Sequence, residues 1–274
     1  MLMDAGDDQS STVAFQRMTL WLEELGLSVP RLIAARPELG LLLLEDLGRV
    51  PVRQVLSTPD VASDIYETSM QALLTIRKAA PPALTSPNAR ALCDWTRLAD
   101  AHYPGAISSV LDSFRAELET ILADCLEQPS SVSLRDFHVD NMMWLPNRKG
   151  VRRLGLLDYQ DAFLTHPVYD LVSLLTDARA EVPRETREHF IKRYAELSGD
   201  NHDALSRAFA AFSVQRNLRI LGVFHRAADI DGKTHHLPKV PRVYGYLVEA
   251  LAHPAFQDGR DAVTAALPAP KSLA

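Results

Sequence analysis

The sequence predicts an α+β fold: a small β-containing N-terminal part, residues 1–47, followed by a mainly helical part, residues 48–274, into which one β-hairpin is set. Three observations predict it. Residues 29–35 and 39–44 are short apolar stretches separated by Pro37-Glu38 and read as strands. From Pro51 onward, apolar residues recur mostly at three- and four-residue steps, the period of helices with one buried face. Residues 142–145 and 154–157 are apolar runs joined by the turn-rich Pro146-Asn147-Arg148-Lys149-Gly150, the pattern of a hairpin.

Taken in order, residues 1–5 are a short apolar start, followed by polar residues in which Ser11 or Thr12 caps a first helix. Val13, Phe15, Met18, Leu22 and Leu25 give that helix one buried face, and Gly26 ends it. The strand at 39–44 is too apolar for an edge facing water, and Glu45-Asp46-Leu47-Gly48 closes the sheet region. Residues 60–78 form a helix with Ile65, Leu73, Leu74 and Ile76 inward, stopped by Pro81-Pro82. Ile107, Val110, Leu111, Phe114, Leu118, Ile121, Leu122, Cys125 and Leu126 define another amphipathic helix, with the hairpin as the nearest surface for its apolar face. Further helices are expected near 168–180, 184–198, 202–228 and 240–252, with no internal repeat or flexible linker.

Composition narrows the function classes. A chain of 274 residues, 47% of them hydrophobic, buries a core sufficient for one domain or a two-lobed unit. A net charge of −6 with dispersed Lys and Arg offers no footprint for nucleic acid. Cys93 and Cys125 lack metal-ligand spacing and read as free thiols in a reducing cytoplasm. No apolar run reaches membrane-spanning length, and no signal peptide pattern opens the chain, so a soluble cytoplasmic protein is expected. Nothing in the residue pattern specifies an oligomeric state.

The chemistry is concentrated in residues 134–161. Asp136, His138, Asp140 and Asn141 enter the first hairpin strand, while Asp158 and Asp161 leave the second, so Asp136, Asn141 and Asp158 should converge at one end. Two carboxylates and an amide oxygen suit Mg²⁺, a small hard cation that takes few protein oxygens and fills its remaining positions with water and phosphate. Asn141 and Asp158 would supply those oxygens, leaving Asp136 to orient an attacking hydroxyl and accept its proton, the division of labour of phosphoryl transfer. Alone, Asp136 would read as a turn-capping loop aspartate; the spacing to Asn141 and Asp158 favours the catalytic role. Asp136-Phe137-His138 also echoes the D-x-H of binuclear metallophosphoesterases, but no later paired ligands complete that pattern, and His138 is assigned a structural or substrate-side place. Asp140 reads as solvated.

These residues carry a resemblance. Residues 134–141, LRDFHVDN, resemble the catalytic loop of the aminoglycoside phosphotransferase (choline kinase-like) superfamily; 157–162 and 167–171 resemble its metal-binding strand end and following helix. Residues 157–162, 169–175 and 177–179, with 216–224, 231–233 and 241–242, are more narrowly similar to the bacterial N-acetylmuramate/N-acetylglucosamine anomeric kinases of cell-wall recycling. The resemblance spans nearly the whole chain. It implies a protein-kinase-like two-lobed fold with a truncated small β lobe, binding of ATP and Mg²⁺, and phosphorylation of the anomeric hydroxyl of an N-acetylated amino sugar. It implies no nucleic-acid or membrane partner.

By the same resemblance, backbone groups of Glu45, Asp46 and Leu47 form a hinge that seats adenine, and Arg135, His138, Asp161 and Asp170 stand in support or on the substrate side. Asp170 either complements a helix dipole or braces the catalytic loop; Asp161 binds either a second metal or a sugar hydroxyl. Arg179, Arg216 and Arg219 either meet an anionic substrate, such as the lactyl carboxylate of N-acetylmuramate, or are solvated or paired with Asp and Glu. Alternative readings are a kinase of another small hydroxylated acceptor (aminoglycoside, choline or homoserine) and a non-catalytic pseudokinase-like binding protein. Two departures bear on this. Leu134 stands where the loop usually carries histidine, and no Gly-rich loop or phosphate-pairing lysine precedes Glu45. The chain is thus expected to begin at the third strand of the small lobe, whether truncated or naturally reduced. Weak or no turnover is expected, with the Mg²⁺ constellation retained.

Overall fold

In the computed structural model, which describes residues 1–6, 8–256 and 259–270, eighteen helices and strands follow one another among the described residues. They are β1 (Leu2–Asp4), α1 (Gln9–Glu24), β2 (Leu32–Arg36), β3 (Leu41–Leu44), α2 (Val52–Val55), α3 (Pro59–Lys78), α4 (Ala89–Asp94), α5 (Arg97–His102) and α6 (Ser108–Leu126). The series continues with β4 (Ser131–Ser133), β5 (Met142–Trp144), β6 (Leu154–Leu156), β7 (Phe163–Thr165), α7 (Tyr169–Leu175), α8 (Arg184–Ser198), α9 (His202–Asp231), α10 (Val240–Leu251) and α11 (Arg260–Ala266). Two compact units result: Met1–Ser86 with Ser130–Leu174, and Pro87–Pro129 with Leu175–Ala274. This line differs from the one drawn at residue 47, because backbone pairing stitches the N-terminal segment to the hairpin. Leu156 N–H donates to the Ser28 carbonyl at 2.8 Å, and Trp144 N–H to that of Val50 at 2.8 Å.

In the first unit, β1, β3 and β2 form an antiparallel sheet with β3 in the centre. The centre is where a run of four leucines belongs: Leu42 and Leu44 are buried on one face, while the backbone is paired on both sides. Helix α1 starts earlier than expected. Its cap is Asp8, whose carboxylate accepts from Ser11 N–H at 3.0 Å, whereas Thr12 is buried within the helix. The acid at this position satisfies an otherwise unpaired N–H of the first turn.

The hairpin pairs Met142 with Leu156 and Trp144 with Leu154. Its connection runs through a short 3-10 turn, Gly150–Arg153, making the loop longer than a tight turn. Gly155 on β6 permits a close approach: a Cβ there would lie 2.9 Å from Leu47 Cδ1 and 3.2 Å from Leu145 Cδ1. A second two-stranded pair, β4 with β7, was not legible in the sequence, since three-residue strands carry no alternation to detect.

Buried Asp170 ties this pair to the loop that follows β4. Its Oδ1 accepts from Ser133 Oγ at 2.8 Å and Arg135 N–H at 3.1 Å, and its Oδ2 from Leu134 N–H at 2.6 Å. On the other flank, Tyr159 is fully buried against α1. It stacks on Phe15 with ring centroids 4.8 Å apart, and its hydroxyl lies 2.8 Å from Thr19 Oγ1.

The second unit is helical and built on α9, 30 residues long. Gly222 lets α9 touch α5, since a Cβ would fall 2.1 Å from the Leu98 carbonyl carbon. The apolar face of α6 finds its main partners in α4, α9 and α11, a correction to the expected packing on the hairpin: α6 shares its compact unit with those helices. Cys93 and Cys125 are free and buried; burial, assisted by the charge of Glu119, pushes the Cys93 thiol up to about 12, which keeps it protonated and inert. Among the described residues no helix is long and apolar enough to cross a membrane.

Replacing Asp170 takes the buried acceptor from Ser133 Oγ and Leu134 N–H, while Arg135 N–H keeps Ser133 Oγ at 3.0 Å. Asp170→Ala is expected to lower the unfolding free energy by roughly 3 kcal/mol in urea denaturation, from the cost of stranded donors to a charged acceptor. A loss under about 0.5 kcal/mol would mean that solvent replaces the carboxylate and the loop is not held by it.

Candidate active site

Residues 134–141 are wound into successive turns. Asp136 N–H donates to the Leu134 carbonyl at 2.8 Å, which places Arg135 between them at φ 70°. A non-glycine residue at positive φ is strained, and its amide is held by both Ser133 Oγ at 3.0 Å and the Asp170 carboxylate at 3.1 Å. His138 N–H then donates to the Asp136 carbonyl at 3.0 Å and Asn141 N–H to the His138 carbonyl at 2.9 Å. The chain thus arrives at β5 with Asn141 beside the base of the loop.

Asn141 links the other two expected residues, Asp136 through its backbone and Asp158 through its side chain. Its Nδ2 donates to the Asp136 backbone carbonyl at 3.1 Å and to Asp158 Oδ2 at 3.2 Å, and its backbone carbonyl accepts from Leu157 N–H at 3.0 Å. The side chain of Asp158 is exposed and that of Asn141 half-buried, so neither is walled in by apolar neighbours. Asp158 has φ 59° and sits one residue before the anchored Tyr159; its Oδ1 accepts from Gln160 Nε2 at 2.7 Å.

This donor set fits a hard divalent cation. Both hydrogens of the Asn141 amide are engaged within the protein, leaving Oδ1 as its remaining polar atom, and each Asp158 oxygen keeps a second lone pair. Among the described residues there is no group of three or more His, Cys, Asp or Glu able to hold a metal.

The supporting residues fall into place differently. Asp161 forms an ion pair with Arg135 at 3.1 Å. Asp140, read as solvated, pairs with Arg53 at 3.5 Å. His138 is buried, 4% exposed, which suits a structural place in the loop. Asp170 lies on the amides of Leu134 and Arg135, the bracing alternative of the two considered. In the second unit Arg179 pairs with Asp177, Arg219 lies over the Trp95 ring at 5.7 Å, and Arg216 is buried.

Glu45, Asp46 and Leu47, the segment expected to form a hinge, have their side chains engaged within the protein. Glu45 takes Arg31 at 3.0 Å and Arg148 at 3.1 Å. Burial raises its pKa, but the hydrogen bonds from Arg31 and the two guanidinium charges outweigh that and leave it below the usual carboxylate range. Asp46 accepts from Gly48 N–H at 2.8 Å, and Leu47 is buried against Gly155. Sequence reasoning missed Ser133, Thr19 and Tyr159 as positioning residues. The only available signal was Phe15 on the apolar face of α1, which is the ring under Tyr159.

The geometry can now be set beside known proteins. Residues 1–208 match the model of the phosphotransferase enzyme family. The chain is 30% identical over 264 residues to an N-acetylmuramate/N-acetylglucosamine kinase of Caulobacter vibrioides, covering 89% of this chain and 72% of the relative. It is also 30% identical over 269 residues to the Pseudomonas aeruginosa protein of that name, covering 92% and 77%. Among solved structures it is similar to a choline/ethanolamine kinase family protein from Mesorhizobium loti, with TM-score 0.67, 14% identity and coverage of 93% and 83%. Choline kinase LicA from Streptococcus pneumoniae gives TM-score 0.65, 17% identity and coverage of 90% and 85%. These structures share the protein-kinase-like fold. With the family model covering the loop, the hairpin and the Asp158 strand end alike, the chain belongs to the phosphotransferase enzyme family.

Proposed function

We propose that this protein is a cytoplasmic, ATP-dependent kinase that phosphorylates the anomeric hydroxyl of N-acetylmuramate or N-acetylglucosamine, giving the sugar 1-phosphate in peptidoglycan recycling. The observation that carries the phosphotransfer chemistry is Asn141, which hydrogen-bonds at once to the Asp136 backbone and the Asp158 carboxylate. The sugar rests on the names of the relatives, which are 30% identical over most of this chain.

In this reading Asp136 orients the sugar hydroxyl and takes its proton as the oxygen attacks the γ-phosphorus; the new O–P bond forms while the bond to the β-phosphate oxygen breaks and ADP leaves. Asn141 and Asp158 would hold Mg²⁺, which when bound neutralises charge on the β- and γ-phosphates. The segment Glu45, Asp46 and Leu47 would seat adenine through its backbone, its side chains being committed to Arg31, Arg148, Gly48 and Gly155. Arg135 positions Asp161 near the acceptor side. Most of the rate would come from placing the two substrates in line rather than from covalent chemistry.

Two outcomes are expected. In a coupled assay of ADP release, N-acetylmuramate or N-acetylglucosamine should stimulate turnover and kanamycin should not. Asp136→Asn should remove roughly 10²- to 10⁴-fold of that stimulation, the usual worth of a positioned general base. Stimulation by kanamycin alone would replace the acceptor, and stimulation surviving Asp136→Asn would remove Asp136 from the chemistry. Independently of turnover, ADP with Mg²⁺ should raise the melting temperature more than ADP with EDTA, since a ligand bound only to the native state stabilises it. Asp158→Asn should abolish that Mg²⁺-dependent difference. A difference that persists in the variant places the cation elsewhere.

A further inference from the structure

The other end of the hairpin carries a second feature, unrelated to Asn141 and Asp158. A cavity of about 540 Å³ opens there among Arg31, Arg148, Lys149, Arg152, Glu45 and Glu23. Its four cations face only two carboxylates, a local excess of positive charge in a chain whose net charge is −6. One of those carboxylates is already shared: Glu45 Oε2 takes Arg31 and Oε1 takes Arg148. Among the described residues, neither Lys149 nor Arg152 has a carboxylate partner, and both are exposed toward solvent.

The cluster is built. Arg148 Nη1 donates to Ser28 Oγ at 2.8 Å, and that hydroxyl donates to the Arg152 carbonyl at 2.7 Å, so the 148–152 connection is fastened to the segment after α1. Arg148 and Glu45 are held half-buried at its base, with side chains 36% and 19% exposed. Gathering several like charges around one concavity favours the entry of a counter-charge. Guanidinium forks and an ammonium around a space of this size suit a compact anion with several oxygens and more than one charge, which can take bidentate hydrogen bonds.

We propose that this cavity binds a compact, multiply charged phosphate, with Lys149 and Arg152 as its principal contacts and Arg31 and Arg148 as the charged wall. The site requires no divalent cation, which separates it from the Asn141–Asp158 end of the hairpin. It stands whether or not the chain phosphorylates a sugar.

The test is calorimetric titration of the full chain with inorganic pyrophosphate in EDTA, at ionic strength fixed with KCl. Saturable binding at one site is expected. The Lys149→Ser/Arg152→Ser variant should weaken it at least tenfold, and Asp158→Asn should leave it unchanged. Both serine substitutions replace exposed, unpaired side chains, and Arg152→Ser alone, giving an intermediate loss, guards against a folding defect. No saturable binding, equal binding by the double variant, or loss in Asp158→Asn would overturn the proposal. Citrate binding as tightly as pyrophosphate would overturn its assignment to phosphate.

Discussion

One buried carboxylate governs how the rest of the candidate site is presented. Asp170 sits at the start of α7 and reaches back to Ser133, Leu134 and Arg135, residues more than thirty positions earlier in the chain. A charged acceptor in that position lets the loop leave β4 through a residue at positive φ, a conformation that isolated chains avoid. Once Arg135 is so placed, its side chain meets Asp161 and the next peptide carries Asp136 toward Asn141. The catalytic loop is thus shaped by a long-range electrostatic clamp and not by local propensity.

A matching constraint works from the opposite flank. Asp158 also has positive φ, and it is followed at once by Tyr159, whose ring is stacked on Phe15 and whose hydroxyl meets Thr19. Burying an aromatic side chain of this size contributes about 2 kcal/mol or more, enough to offset the backbone strain of the residue before it. The exposed carboxylate is held just past the end of β6 by the burial of its neighbour. Asn141 then closes the gap between the two clamped segments, so the three polar residues owe their proximity to Asp170 and Tyr159 rather than to attraction for one another.

Legibility in the sequence followed the range of the interactions. The hairpin and the convergence of Asp136, Asn141 and Asp158 could be read because an antiparallel pair fixes which ends meet, whatever the connection does. The long helices α3, α6, α8, α9 and α10 could be read because their apolar period repeats over several turns. Strands β4 and β7 and helices α4 and α5 were hidden, being three to six residues long and therefore too short for a strand or helix period to repeat visibly. Asp8 was overlooked as a cap because Ser11 and Thr12 offered equally good chemistry nearby; geometry chose the acid. The alternatives for Asp170 and Asp161 stayed open in the sequence because each depends on a partner that spacing does not name.

Leu134 is where these threads meet. A leucine at the place of a loop histidine removes a hydrogen-bonding side chain, and taken alone it favours a site retired from catalysis. Yet Leu134 is buried, and its amide donates to Asp170 at 2.6 Å, so the backbone at this position is held without any help from its side chain. A retired site would be free to lose the strained conformations at Arg135 and Asp158, since each costs free energy that only a purpose at the loop tip would retain. Both are kept, braced from either side and converging on an exposed carboxylate and a half-buried amide. The physical weight of the loop therefore falls on the side of a working phosphotransfer centre.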